Sequence, residues 1–136
     1  MEIKDISVAY KIEKKLLTYQ DYINLLEDGN RYEVINGELI MVAAPNTGHQ
    51  FVSGNIYFEL YRFIQKRKIG KILDAPVDVL LSESNVVQPD ILFISNENLD
   101  IITDKNIAGS PDLIIEIILP SSAYYDLLGK KELYAT

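Results

Sequence analysis

The sharpest pattern along the chain is a pair of short apolar-rich runs, Arg31–Ile35 and Glu38–Val42, separated by Asn36-Gly37. Asn-Gly is the favoured pair for a two-residue type I′ turn, because both of its central positions take positive φ. Such a turn fixes the register: Ile35 faces Glu38, Val34 faces Leu39, Glu33 faces Ile40 and Tyr32 faces Met41. One face then reads Tyr32, Val34, Leu39 and Met41 and is expected to pack on the core. The other carries Glu33 and Glu38 with Ile35 and Ile40, so both carboxylates are expected to project from the opposite side.

Upstream, residues 1–16 mix charge with a few apolar positions and read as an arm ahead of a domain over 17–136. Thr18 suits the N-cap of a short helix, Tyr19 to Leu26, with Asp21 completing a capping box and Asp28-Gly29-Asn30 ending it. Downstream, Pro45–Gly48 is a loop. A long helix follows from His49 to Lys68, with Val52, Ile56, Leu60, Phe63 and Ile64 on one stripe, basic residues in its last turn and Gly70 as a stop. Lys71–Asp74 and Val77–Leu81 read as strands, and Val86–Ile94 as a strand interrupted at Pro89. Residues 95–111 form a loop with a helical turn near Leu99–Ile102. Leu113–Ile118 reads as an apolar strand covered on both faces, and a last helix begins at Pro120-Ser121-Ser122. This order predicts an α/β (α+β) domain: a mixed sheet flanked by helices, with an N-terminal hairpin.

Composition narrows the class. The 136 residues fit one domain, and 48% hydrophobic content can supply one core. No cysteine is present, which removes disulfides and thiolate metal sites and suits a reducing cytoplasm. The N-terminus lacks the apolar run of a signal peptide, and no stretch approaches a membrane span. The formal net charge of −7 argues against strong non-specific binding to phosphate backbones. It is compatible with carboxylates that hold a cation.

Glu116 is the most informative residue, a single charge inside Leu-Ile-Ile-Glu-Ile-Ile-Leu. A buried carboxylate without a partner costs several kcal/mol, or it neutralises, so Glu116 calls for a metal, a cation or an open sheet end. The plainer alternative is a glutamate facing solvent from a half-exposed strand. Asp90, after Pro89, is alone no more than a turn signal. The pairing adds weight, because two apolar strands each carry one acid and as sheet neighbours could reach a common Mg²⁺. Lys130 follows Asp126 by one turn, the spacing of a surface pair worth a few tenths of a kcal/mol. His49 is the only histidine, and a helix-start role is the plain reading. No nucleophile elbow, Walker-type loop or dinucleotide fingerprint occurs.

Several strings together resemble the Uma-type restriction endonucleases of the PD-(D/E)XK nuclease superfamily. They are Arg31 to Leu39 followed by Pro45 and His49; Gln88-Pro89-Asp90-Ile91; Gly109 to Ser122; and Tyr125-Asp126, Lys130 and Leu133-Tyr134. The resemblance covers about residues 17 to 136 and implies a Mg²⁺-dependent endonuclease, with Mn²⁺ as a substitute, acting on nucleic acid and foremost on DNA. It implies Asp90 and Glu116 as metal ligands together with the Ile117 carbonyl. Glu33 completes the metal site, and Lys130 stands in for the lysine that the superfamily places two residues after the second acid, where this chain has Ile118. His49 and Gln88 match secondary motif positions, and Glu38 shares the hairpin face of Glu33. The resemblance also implies a further core strand beyond the last helix, so the domain reads as C-terminally truncated. A homodimer is expected to cover the open edge of Leu113–Ile118. A catalytically inactive interaction module is the competing expectation.

Overall fold

The Asn36-Gly37 turn forms as its residues dictate. φ is 51° at Asn36 and 78° at Gly37, and strands β1 (Arg31–Ile35) and β2 (Glu38–Val42) pair antiparallel in the expected register. The computed structural model describes residues 15–25, 27–118 and 130–135. The arm over 1–14, the start of the last helix at Pro120-Ser121-Ser122, and Asp126 lie outside them. Helix α1 (Tyr19–Ile23) is shorter than expected but begins at Thr18 with both halves of the capping box in place.

The two hairpin faces are not as the pattern suggested. Val34 is fully buried, yet Leu39 and Met41 beside it are 39% and 61% exposed, while Glu33 on the other face is only 2% exposed. Among the described residues β2 is an outer strand of a sheet that runs on from β1 to β5 (Asn85–Val87) and β4 (Val79–Ser82), so of the hairpin only β1 has a neighbour on both sides. A carboxylate on a covered side survives if a cation meets it, and one does.

Helix α2 (Thr47–Arg67) starts when the Asn46 side chain accepts the His49 N–H at 2.8 Å, and it ends at Lys68 in the left-handed region. Ile64 is buried and packs with Ile56 and Leu60 against Ile72 and Ile91, whereas Val52 and Phe63 of the expected stripe lie outside that contact and are exposed. Gly70, read from sequence as a helix stop, opens strand β3 (Gly70–Asp74). It lies so close to the neighbouring strand that a Cβ there would run into the Ile94 carbonyl.

The run Val86–Ile94 divides into two strands that belong to different sheets. β5 (Asn85–Val87) pairs with β1 and β4 (Val79–Ser82). β6 (Ile91–Ser95) pairs with β3 and β7 (Leu113–Ile115), giving a second sheet of order β3-β6-β7. Buried Pro89 has no N–H to continue a ladder, so the chain leaves one sheet and enters the other across Gln88-Pro89-Asp90. The mixed α/β class and the hairpin stand, but all pairs between named strands are antiparallel and fall in two sheets where one mixed sheet was expected. A 3-10 turn covers Asn96–Ile101.

The core between these elements is Val79, Val87, Leu92, Ile94 and Ile107. Ile35, Ile114, Leu133 and Tyr134 pack against it, which docks the helical residues 130–135 beside β6 and β7. The strand expected over Leu113–Ile118 ends at Ile115, and Leu113 is 45% exposed because β7 is an outer strand among the described residues.

Candidate functional site

Three features of the chain meet where it crosses between the sheets. β6 and β7 pair with Ile91 opposite Ile115, so one residue further along the same register Asp90 stands opposite Glu116. The two acids therefore flank the same strand end, as the sequence suggested. The Ile117 N–H donates to Asp90 Oδ2 at 2.6 Å and ties the segment after β7 to the Pro-Asp step. The first turn of α2 brings His49 Nε2 to 3.2 Å from Asp90 Oδ1.

Lys130 is the centre of the second half. Its Nζ lies 2.9 Å from Glu116 Oε1 and 3.0 Å from Glu33 Oε1, with the lysine and Glu33 side chains only 16% and 3% exposed. Its partners are thus a buried acid on β1 and a half-buried acid just after β7. Glu33 Oε2 in turn accepts the Gln88 backbone N–H at 2.6 Å, so both of its oxygens are engaged. Tyr134, four residues after Lys130 and on the same helical face, donates its hydroxyl to Glu116 Oε1 at 2.9 Å.

These contacts set the electrostatics. Burial pushes the Glu116 carboxyl above the usual glutamate range, and the charge on Asp90 adds to this. The Lys130 charge and the hydrogen bonds from Lys130 and Tyr134 pull the other way without cancelling it. Burial also works against the charge on Lys130, but Glu33 and Glu116 outweigh it, and the ammonium holds its proton more tightly than an ordinary lysine. The Tyr134 hydroxyl is pushed up by burial and by the Glu116 charge, so it stays protonated and serves as a donor.

A cavity of about 510 Å³ opens onto this cluster, with Arg31, His49, Asp90, Glu116, Lys130 and Tyr134 among its lining residues. Of the residues singled out from sequence, Asp90, Glu116, Lys130, His49 and Gln88 line it, and Glu33 lies beside it in contact with Lys130. Glu38 is exposed near the hairpin turn and does not line it. Among the described residues no three His, Asp or Glu side chains form a metal-ligand group. The Lys130 ammonium lies in contact with both Glu33 and Glu116, two of the three acids the sequence singled out. Sequence reasoning gave no role to Arg31 or Tyr134. Their only signal was membership of the motif strings, together with the one-turn spacing from Lys130 to Tyr134.

The sequence profile of Uma2, described as putative restriction endonuclease, matches residues 18–136. The chain belongs to this family. Its fold is similar to that of a crystal structure described as a putative nuclease belonging to DUF820 from Anabaena variabilis, with a TM-score of 0.69 at 19% sequence identity. That similarity covers 87% of this chain and 66% of the other, so the chain spans less than two-thirds of that protein's length. No curated protein sequence is significantly similar. For a member of this family the placement of Asp90, Glu116 and Lys130 around one cavity is the feature to explain. No helix among the described residues is long and apolar enough to cross a membrane.

Proposed function

We propose that the chain hydrolyses phosphodiester bonds of nucleic acid, foremost DNA, in a reaction that depends on Mg²⁺ or Mn²⁺. The observation that carries this reading is the convergence of Asp90 and Glu116 at one strand end, with Lys130 held against Glu116. The donor set fits a hard divalent cation: the two acids offer only oxygen, and the chain has no cysteine thiolate to favour a softer metal. Each carboxylate offers about four lone-pair sites. Asp90 uses one on His49 and one on the Ile117 N–H, and Glu116 spends its known contacts on Oε1 alone. Capacity for a cation is left on both, and the Ile117 carbonyl would be the third donor.

A divalent cation at such a site supplies an acidified water and neutralises charge developing on the phosphate. The protein's own groups do the rest. Lys130 has three N–H donors, of which Glu33 and Glu116 engage two, leaving one for the attacking water or a phosphate oxygen. Glu33 acts through Lys130, fixing the ammonium and keeping it charged. Tyr134 holds Glu116 by Oε1. His49 orients Asp90 from the other side, and the Gln88 N–H fixes Glu33. The absence of cysteine suits a reducing cytoplasm for such an enzyme.

Incubation of labelled single-stranded and duplex DNA with Mg²⁺ or Mn²⁺ tests this. Cleavage that stops on chelation with EDTA and resumes on adding the metal back is expected. A folded protein that binds strands but never cuts them, with either metal, would reject it in favour of a binding module.

We further propose that a second copy of the chain covers the free edge of β7. β7 pairs only with β6 among the described residues, and Leu113 on it is exposed. Light scattering over a concentration series should give a dimer mass that an added Lys at Leu113 lowers to the monomer. A monomer at every concentration would refute this.

A further inference from the structure

The reading above leaves unexplained how a chain of net charge −7 draws a polyanion to a pair of carboxylates. Arg31 offers an answer. It opens β1, is half-buried, and lines the same cavity as Asp90 and Glu116. Its Nε donates to Gln88 Oε1 at 2.9 Å. Among the described residues it has no carboxylate partner, and its two terminal nitrogens have no acceptor. Since no buried side-chain nitrogen among the described residues lacks a partner, these terminal N–H groups are open to solvent on the cavity side and free to meet a ligand.

The way it is held is equally specific. Both amide hydrogens of Gln88 are committed, to Asp78 Oδ1 at 2.8 Å and to the Tyr22 hydroxyl at 3.0 Å. Tyr22 itself donates to the same Asp78 oxygen at 2.9 Å. With its nitrogen so engaged, Gln88 can present only its oxygen to Arg31, and that fixes the guanidinium by one edge. The free edge carries the paired N–H groups that match two phosphate oxygens. The same Gln88 holds Glu33 through its backbone N–H, so one residue sets both the arginine and the acid behind Lys130.

We propose that Arg31, held by Gln88, binds a backbone phosphate of the nucleic-acid strand lying in the cavity, a contact separate from the Asp90–Glu116 pair. Lys131 also lines the cavity, is exposed, and has no ion pair among the described residues, so it adds a weaker second cation on the rim. The proposal rests on the nuclease reading for its ligand, a phosphodiester strand, and it is tested without cleavage.

The test is fluorescence anisotropy of a labelled oligonucleotide with the parent protein and its variants, with Ca²⁺ in place of Mg²⁺, over a salt series. Arg31→Gln should bind about tenfold more weakly, and its slope of log affinity against log salt should fall by about one, the signature of one lost phosphate contact. Arg31→Lys should restore the slope but only part of the affinity, since it keeps the charge and loses the fork. Lys71→Gln, outside the cavity, should change neither. Thermal melts of each variant report whether the fold is intact. An Arg31 that only props Gln88 would lower the melting temperature on substitution and leave the salt slope alone, and that result overturns the proposal. An unchanged affinity and slope for Arg31→Gln overturns it too, as does a parent that binds no strand. Binding that depends on Arg31 without any cleavage in Mg²⁺ would keep this site and refute the nuclease reading. Cleavage indifferent to Arg31→Gln would do the reverse.

Discussion

Glu116→Gln is expected to remove cation binding and cleavage together while the domain keeps its fold. Glu116 lines the same cavity as Asp90 beyond the β6–β7 strand end, and a neutral amide there would offer a cation one weak oxygen in place of a charge. Loss of a partner that merely orients a metal ligand already costs up to about 100-fold in affinity, so loss of the ligand itself should exceed that. The fold should survive for an electrostatic reason. Burial raises the Glu116 carboxyl above its ordinary range, and a carboxylate raised in the folded state weakens the fold at every pH above that value. The penalty begins as pH climbs past the unfolded-state value and is complete above the folded-state one. It is absent below both. The amide variant should therefore melt no lower than the parent at pH 7, and its Oε1 can still accept from Lys130 and Tyr134. Calorimetric titration with Mn²⁺, cleavage assays and melts at pH 7 read all three quantities. Parent-like Mn²⁺ binding by the variant would remove Glu116 from the metal site.

Lys130→Ala is expected to cost both activity and stability, and the second effect was not foreseeable from sequence. The i,i+4 spacing to Asp126 suggested a surface pair worth tenths of a kcal/mol, and hence a substitution of little structural consequence. In the structure the lysine serves a nearly inaccessible glutamate, Glu33, whose other oxygen accepts the Gln88 N–H. Removing one member of a buried pair strands the other, at about 3–5 kcal/mol, a large part of the roughly 5–15 kcal/mol that holds a domain together. The pH dependence has a definite sign. The lysine is raised in the folded state, so its stabilising effect is complete below the ordinary lysine range and fades only as pH rises through the higher folded-state value. The full loss should thus appear at pH 7. Urea denaturation should show it for Lys130→Ala and only within about 0.5 kcal/mol of the parent for the exposed Lys131→Ala. The double variant Glu33→Leu/Lys130→Met should regain most of the stability and none of the cleavage. Equal stability for the two single alanine variants would mean that Glu33 is not held by Lys130 in solution.

What the sequence determined by itself is what short stretches decide by themselves. Asn36-Gly37 can adopt few conformations other than a tight turn of positive φ, so the hairpin register followed from two residues. Thr18 and Asp21 cap a helix through contacts three residues apart, and the long helix expected over His49–Lys68 forms over Thr47–Arg67. A lone acid in each of two apolar strands singled out Asp90 and Glu116, because an isolated buried carboxylate is costly wherever it falls. The tertiary structure decided everything that depends on which surfaces meet. Pro89 was visible as a break, but only the arrangement of the strands shows that the break carries the chain from one sheet to the other and puts Gln88 and Asp90 at the junction. The hairpin pattern gave β1 one apolar face, whereas the fold buries Glu33 on the other, since the energy of that burial lies in Lys130, far along the chain. Arg31 and Tyr134 are ordinary residues in sequence and acquire a role only when Gln88 and Glu116 are placed beside them. Periodicity and turn chemistry act over a few residues, while charge neutralisation and hydrogen-bond partners are chosen in three dimensions, and it is the latter that build this site.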